Sequence, residues 1–323
     1  MSHKKITDFL SPEEIKRYTR ASDLRGALAV LATWGLIAGS FALVAWRPNL
    51  LTVAVALFIL GGRHLGLSIL MHEASHRSLF AHRGINDFIG KWLCAAPTGG
   101  DLDKYRVHHM AHHAHTGTER DTDIGLVRPF PISKRSLVRK LARDLFGITG
   151  LKRLFGLALI NFGYVEYTAS VDPKPIDQSG RSIADVFQTG LRNSFPPLLT
   201  NAILFGVLWA VDHPWLYALW VISYLTTFSL FVRIRAMAEH ACTGDTDDPF
   251  GNTRTTYANI FARLSVAPHR VNYHLEHHLL MTVPYFQLPR LHRVLRERGA
   301  LQGAPVAANY RDVLRTVVIP KAA

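Results

Sequence analysis

Residues 27–46 read ALAVLATWGLIAGSFALVAW, and none of these side chains is charged. An apolar helix of about 20 residues is long enough to cross the hydrocarbon core of a bilayer. This stretch therefore predicts a membrane span and decides the fold class. The chain as a whole has a mean hydropathy of +0.10 and 48% hydrophobic residues, which also favours a membrane protein.

Three further apolar runs follow along the chain. Residues 50–71 are interrupted only by Arg63 and His64, while residues 198–211 and 215–232 flank a short Asp-His-Pro link. Because such short links join neighbouring antiparallel helices, we predict an all-α integral membrane protein with four transmembrane helices in two hairpins. A cytoplasmic helical cap is expected to hold the metal site described below, and residues 1–323 are expected to form a single domain.

The distribution of charge predicts the orientation. Lys and Arg total 37 against 24 acidic residues, and this excess suits an anionic membrane surface, nucleic acid or an acidic partner. The basic residues fall in segments 1–25, 77–195 and 233–323, whereas the two short links offer only Arg47. By the positive-inside rule, we predict that both termini and these segments are cytoplasmic. We expect no cleaved signal peptide, no disulfide and no nucleic-acid partner.

Histidines are concentrated in three short clusters. Of the 17 histidines in the chain, eight occur in the sequences HEASH, HMAHH and HLEHH. Residues three or four positions apart share one face of a helix, so each cluster directs two or three imidazoles to one point. The predicted topology places all three clusters on one side of the membrane, and His240 is a plausible ninth member. The predicted metal ligands are His72, His76, His109, His112, His113, His240, His274, His277 and His278.

The number of imidazoles points to more than one metal ion. A single zinc site needs only four ligands, whereas nine are enough for two ions with positions left for oxygen or water. Imidazole suits iron, copper, zinc and nickel alike, so ligand type does not identify the metal. His108 could take the place of His109.

The three clusters resemble the HxxxH, HxxHH and HxxHH boxes of the membrane fatty acid desaturases and hydroxylases. The similarity extends to Tyr105 and Arg106 ahead of the second box, to residues 116–123 after it, and to Asn272 and Tyr273 ahead of the third. The resemblance implies a non-haem centre of two iron ions that uses molecular oxygen to remove hydrogen from an unactivated C–H bond. It also implies that the nine histidines are the iron ligands, with His240 the least secure.

Four polar residues beside the boxes have two possible roles each. Glu73, Glu239 and Glu276 either accept hydrogen bonds from ligand imidazoles or are ordinary solvated charges. Asn272 either holds a water near the metal or caps the helix of the third box. His64, inside the second span, either lines a substrate tunnel or forms a helix–helix hydrogen bond.

The resemblance favours oxygen-dependent desaturation of a fatty acyl chain, a reaction of lipid metabolism catalysed by an oxidoreductase. The alternative within the family is a hydroxylase or ketolase, a monooxygenase acting on a lipid, alkane or carotenoid. A histidine-rich metal transporter is a remote alternative, since its ligands should lie inside the spans. The chain has no dinucleotide fingerprint and no cysteine cluster, so we expect an external electron donor of the ferredoxin, rubredoxin or cytochrome type.

Overall fold

A computed structural model describes residues 4–170, 172–244 and 248–320. The predicted cytoplasmic segments also extend over residues 1–3, 171, 245–247 and 321–323, which lie outside the described residues. The described chain is mostly helical. Two strands of two residues each, β1 (Thr255–Thr256) and β2 (Val306–Ala307), pair in parallel.

The described residues form fifteen α-helices. They are α1 (Pro12–Tyr18), α2 (Asp23–Trp46), α3 (Leu50–Ser75), α4 (Arg83–Ile89), α5 (Leu102–His115), α6 (Ile124–Val127), α7 (Lys134–Leu145), α8 (Ile148–Asn161), α9 (Ile183–Ala210), α10 (Tyr217–Leu225), α11 (Thr227–His240), α12 (Ile260–Leu264), α13 (His274–Leu279), α14 (Leu288–Glu297) and α15 (Tyr310–Thr316).

Three helical segments are long and apolar enough to cross a membrane, by length and composition: Pro12–Trp46, Leu50–Ser75 and Pro214–His240. They contain the first, second and fourth predicted spans. The third predicted span, residues 198–211, lies in the second half of α9 and is not among the three. The sequence therefore identified three of these helices, and the four-span topology stays a prediction.

Helix α3 is the central element of the bundle. It packs against α2, α10 and α11, and its second half, from Leu60 to Ser75, is almost entirely buried. Glycine permits the close approach: a Cβ atom built on Gly61 would lie 2.2 Å from Thr227 Oγ1. Thr227 Oγ1 in turn donates to the carbonyl of Leu57 at 2.7 Å. The start of α11 is thereby held against the middle of α3.

The helices beyond the spans pack on the ends of α3 and α11. Met237 of α11 shares a buried cluster with Leu137 of α7 and Val313 of α15. Tyr18 of α1 is buried with Leu291 of α14. This packing positions α5 and α13, which carry the second and third histidine boxes, beside the C-terminal ends of α3 and α11.

Candidate metal centre

Four segments converge to form the site. They are the last turn of α3 together with the next residue, His76, the helix α5, the last residue of α11, and the short helix α13. Arg106 ties two of them together, since its guanidinium donates to the carbonyl of Ser75 at 3.1 Å and to that of Ala74 at 3.3 Å. These carbonyls end α3 without the usual helical partner. Arg106 therefore fastens the helix of the second box to the end of the first.

The structure brings all nine predicted histidines together, in two groups. One group contains five imidazoles and the other four, and in each group one nitrogen from every ring lies within 4.8 Å of those of the others. The groups touch, because the rings of His113 and His278 stack with centroids 4.2 Å apart. The first group is His72, His76, His109, His113 and His277, and the second is His112, His240, His274 and His278.

Helix geometry explains how each box is divided. In the second box His109 and His113, four residues apart, join the first group, whereas His112 joins the second. In the third box the arrangement is reversed, so that His274 and His278 share a group and His277 belongs to the other. Residues four positions apart differ by about 40° around a helix, and adjacent residues by about 100°. Neighbouring imidazoles therefore serve different groups.

The nitrogen positions fit metal ions. His109 Nε2 and His113 Nε2 are 3.0 Å apart, and His240 Nε2 and His274 Nε2 are 2.8 Å apart. Two nitrogens bound at right angles to one ion, each about 2.0 Å from it, lie about 2.8 Å apart. Both ring nitrogens of His72 and of His76 are buried and have no hydrogen-bond partner among the described residues. Buried polar atoms are rarely left this way, and a bound ion would satisfy one nitrogen of each ring.

Burial favours the neutral form of most of these imidazoles. It lowers the pKa of His109, His277 and His278 well below the usual range, and it lowers the pKa of His113 to about 2. A neutral ring offers a lone pair, as a metal ligand requires. The arrangement is thus chemically suited to bind two cations rather than to carry positive charge itself.

Comparison with known proteins identifies the family. The model of the fatty acid desaturase family matches residues 48–310, most of the chain. This chain belongs to the fatty acid desaturase family. The resemblance inferred from the three boxes is confirmed.

Relatives of this desaturase-family chain are similar to it at low identity over most of its length. A dihydrorhizobitoxine desaturase of Bradyrhizobium elkanii is 25% identical over 298 residues, 90% of this chain and 80% of the relative. An sn-1 oleoyl-lipid 12-desaturase of Anabaena variabilis is 23% identical over 289 residues, 88% of this chain and 79% of the relative. A Delta(5) fatty acid desaturase of Caenorhabditis elegans is 24% identical over 74% of this chain and 56% of the relative.

One histidine of the desaturase site has a carboxylate behind it. His112 Nδ1 lies 2.6 Å from Asp121 Oδ1. Burial disfavours the charged forms of both groups, but their hydrogen bond and mutual attraction outweigh it, so the pKa of Asp121 is lowered and that of His112 is raised. The ionised carboxylate accepts the Nδ1 proton, which orients the ring and leaves Nε2 toward the second group. Sequence analysis missed Asp121, although it lies in the stretch 116–123 that matched the family.

The four predicted supporting residues have different positions. Glu239 lies 3.5 Å from His274 Nδ1 and forms an ion pair with Arg235. Glu73 Oε1 is 3.7 Å from His72 Nδ1, beyond hydrogen-bond distance, and Glu73 accepts instead from the backbone N–H of Tyr285 at 2.9 Å.

Two of these predictions need correction. Glu276 contacts none of the nine imidazoles through a hydrogen bond; it accepts from Thr255 Oγ1 and is paired with His292 Nδ1 at 2.7 Å. It is fully buried, so it is not a solvated charge either. The alternative that Asn272 caps the helix of the third box is wrong, because α13 has Tyr273 at its N-cap position and no side-chain cap. The Asn272 amide donates to the carbonyl of Thr256 at 3.0 Å, while its buried Oδ1 lacks a partner within the described chain.

Two other histidines named from the sequence lie outside both groups. His64 Nε2 contacts the carbonyl of Trp220 at 3.1 Å and Ser223 Oγ at 3.2 Å. Both contacts join α3 to α10, which is the helix–helix hydrogen bond named as one of its two predicted roles. The other role, lining a substrate tunnel, stays a prediction. His108 Nε2 lies 2.9 Å from Asp123 Oδ1, which places His108 apart from the group that contains His109.

Proposed function

We propose that this protein is an oxygen-dependent desaturase of a fatty acyl chain, with the nine histidines as ligands of two iron ions. The observation that carries the proposal is the division of nine buried or partly buried imidazoles into adjacent groups of five and four. Family membership supports the reaction class, and the names of two relatives refer to oleoyl-lipid and fatty acid substrates.

The reaction removes one hydrogen from each of two adjacent carbons of the substrate. Together with two electrons and two protons from outside, these two hydrogens reduce molecular oxygen to two molecules of water. The iron ions, when bound, supply the oxidising power that no ordinary side chain has. The chain's own residues hold the ions and exclude water: nearly all members of the first group are buried.

Carboxylates and polar groups behind the ligands hold the rings in place. Asp121 keeps the proton of His112 on Nδ1, and Glu239 lies beside His274. Such partners fix ring orientation and raise ligand basicity. The placement of the nine histidines at the ends of α3 and α11 and on α5 and α13 supports an enzyme rather than a transport pathway through the spans.

The proposed topology has four transmembrane helices in two hairpins, with the metal site in a cytoplasmic cap. The links between α2 and α3 and between α9 and the segment Pro214–His240 are both short. The second half of α9 exposes Leu198, Ile203 and Val207, each more than half exposed. A large exposed apolar surface suits contact with lipid. This supports α9 as the remaining span.

Electrons are proposed to come from a separate ferredoxin, rubredoxin or cytochrome. The net charge of +13 would favour an acidic donor, because complementary charge accelerates encounter.

Mass spectrometry of lipids tests the proposed reaction. A host that lacks the product is grown with oxygen and expresses the wild-type chain, His277→Ala, or the control His213→Ala. His213 lies in the link before Pro214–Leu216 and belongs to neither histidine group. We expect new species that lack two hydrogens with wild type and His213→Ala, and none with His277→Ala.

Two other outcomes have defined meanings. Species that gain one oxygen atom would replace desaturation by hydroxylation at the same site. Equal product from wild type and His277→Ala, with both proteins present in the membrane, would refute the role of the histidine groups. Fragmentation of the new lipid locates the modified bond.

A further inference from the structure

A second concave site lies apart from the histidine groups. A cavity of about 800 Å³ opens between the residues that precede α2, the loop that follows α3, and the residues that precede α14. None of the nine clustered histidines lines it. Its polar lining includes Arg17, Arg20, Arg77, Asp23 and Gln287.

The lining carries a net positive charge, with three arginines and one aspartate. Arg17, Arg20 and Arg77 are exposed, and none of the three forms a salt bridge with a described residue. The acidic residue of the lining, Asp23, is already engaged, since its Oδ1 accepts from the backbone N–H of Ala81 at 2.7 Å. The cavity therefore presents three exposed guanidinium groups, none of which is held in an ion pair by a described carboxylate.

Other arginines near the histidine groups differ in this respect. Arg233 is paired with Asp144, Arg235 with Glu239, and Arg254 donates to backbone carbonyls of residues 237, 238 and 242. These side chains stabilise the fold. Among the described residues, the three arginines of the cavity form no ion pair, although the guanidinium of Arg17 lies over the ring of Tyr18, 5.2 Å from its centroid.

The backbone of Arg77 adds an independent observation. Its φ is +57°, in the left-handed region that side chains other than glycine rarely adopt. The residue directly follows His76 and reverses the chain at the end of α3, where its N–H donates to the carbonyl of Ala74 at 3.1 Å. Unfavourable backbone conformations are often retained at binding sites. An arginine at a position that suits glycine is consistent with a need for its guanidinium.

The position of the cavity indicates the kind of ligand. It lies where α2 begins and α3 ends, at one end of two helices that are able to cross a membrane. Along α2, Leu24, Leu28 and Leu31 are 70%, 50% and 67% exposed and share one helix face by their spacing. Lipid phosphates lie at the ends of membrane spans, and acyl chains lie along them. Arginine binds phosphate with paired hydrogen bonds.

We propose that this cavity binds the phosphate group of an acyl lipid, with Arg17, Arg20 and Arg77 as its cationic ligands and the acyl chain along Leu24, Leu28 and Leu31. Gln287 offers a further amide donor. An acidic protein would also be attracted by this charge, but the position at the end of two candidate spans, on the helix that carries the three exposed leucines, fits a lipid. The proposal concerns binding and does not depend on the proposed desaturation.

Binding of dioleoyl phosphatidate tests the proposal, with dioleoylglycerol as a probe that lacks the phosphate. Native mass spectrometry of the full-length protein in detergent measures the fraction of each lipid bound. Arg20→Ala and Arg77→Gly should each weaken phosphatidate binding about fivefold, since one such cation contributes about that factor near a lipid surface. The triple variant that adds Arg17→Ala should weaken it about a hundredfold.

Matched variants separate this site from the rest of the protein. Arg47→Ala removes an exposed arginine at the opposite end of α2 and should bind phosphatidate as wild type does. His277→Ala should also bind it normally, so failure of the desaturase proposal would leave this result unchanged. Glycine suits the φ of Arg77, and all three side chains are exposed, so the variants should retain their fold.

Three results would overturn the proposal. The first is unchanged phosphatidate affinity in the triple variant, and the second is equal binding of dioleoylglycerol and phosphatidate by wild type. The third is complete displacement of phosphatidate by inorganic phosphate at equal concentration, which would identify a site for soluble phosphate compounds rather than lipid. If an acidic ferredoxin loses affinity in the triple variant while phosphatidate does not, the cavity is a protein contact and the lipid proposal is wrong.

Discussion

Replacement of Asp121 by Asn should loosen one metal ion selectively. Asp121 Oδ1 lies 2.6 Å from His112 Nδ1 and also accepts from the backbone N–H of Asp123 at 2.8 Å, and Oδ2 accepts from the N–H of Gly117 at 3.1 Å. An amide in this position loses the charge that polarises His112. Its NH₂ group also replaces an acceptor in one of these contacts.

The expected magnitude follows from the position of His112 as one of four nitrogens in the second group. Loss of the carboxylate behind a ligand histidine typically lowers metal affinity about 10–100-fold, which corresponds to about 1.4–2.7 kcal/mol. The first group contains no ligand bonded to Asp121, so its affinity should change much less. We therefore expect the variant to lose about one iron equivalent before the other.

Iron content measured against increasing chelator separates the two sites. Wild type and Asp121→Asn are loaded with iron, dialysed against a series of chelator concentrations and analysed by mass spectrometry of the metal. Glu119→Gln is the matched control, because Glu119 lies in the same loop, is exposed and pairs with Arg128 rather than with a clustered histidine. A chelator curve for Asp121→Asn that overlays wild type would refute the orienting role of Asp121. Equal losses in both variants would indicate a general effect of this loop.

Three further predictions concern stability and support of the site. Gly61→Leu should lower the melting temperature by several degrees, since its Cβ would meet α11. Gly39→Leu is the control and should change the melting temperature little, because the space at its Cβ position is open. A thermal scan in detergent measures both, and equal shifts would contradict the argument that α3 and α11 approach closely at Gly61. Arg233→Ala should lower the free energy of unfolding by about 3 kcal/mol, because it leaves the fully buried carboxylate of Asp144 without its cation. Denaturant titration measures this change. A decrease of less than about 0.5 kcal/mol would show that the ion pair contributes little to stability. His292→Phe should reduce iron retention several-fold, because it removes the hydrogen bond between His292 and Glu276 in the helix of the third box. His292→Gln should retain more iron than His292→Phe. Identical iron content in wild type and both variants would show that this hydrogen bond does not support the site.

The sequence by itself determined the class of the protein and the members of the site. Residues 27–46 and 50–71 predicted helices that the structure contains as α2 and α3, because an apolar run of that length has few other stable arrangements. The eight histidines of the three boxes were recognisable because i, i+3 and i+4 spacing directs side chains to one side of a helix. Even His240, far from the boxes in sequence, was named by its place after the last apolar run.

The division of the site was decided by tertiary structure. Local spacing shows that His112 and His113 are neighbours, but their assignment to different groups depends on how α5 lies against α3, α11 and α13. The same holds for Asp121, whose contact with His112 requires the chain to turn back after α5. Glu276 illustrates the reverse case: it lies between two clustered histidines in sequence, yet it faces His292.

The free arginines also became visible only in three dimensions. Sequence shows that many basic residues lie beyond the apolar runs, and their common charge does not distinguish Arg77 from Arg233. Packing distinguishes the two arginines. Asp144 forms an ion pair with Arg233, whereas no carboxylate of the described chain pairs with Arg77. Short-range pattern specifies which side chains share a helix face, but contacts between distant segments depend on the packing of whole helices, and those contacts decide which charges remain available to a ligand.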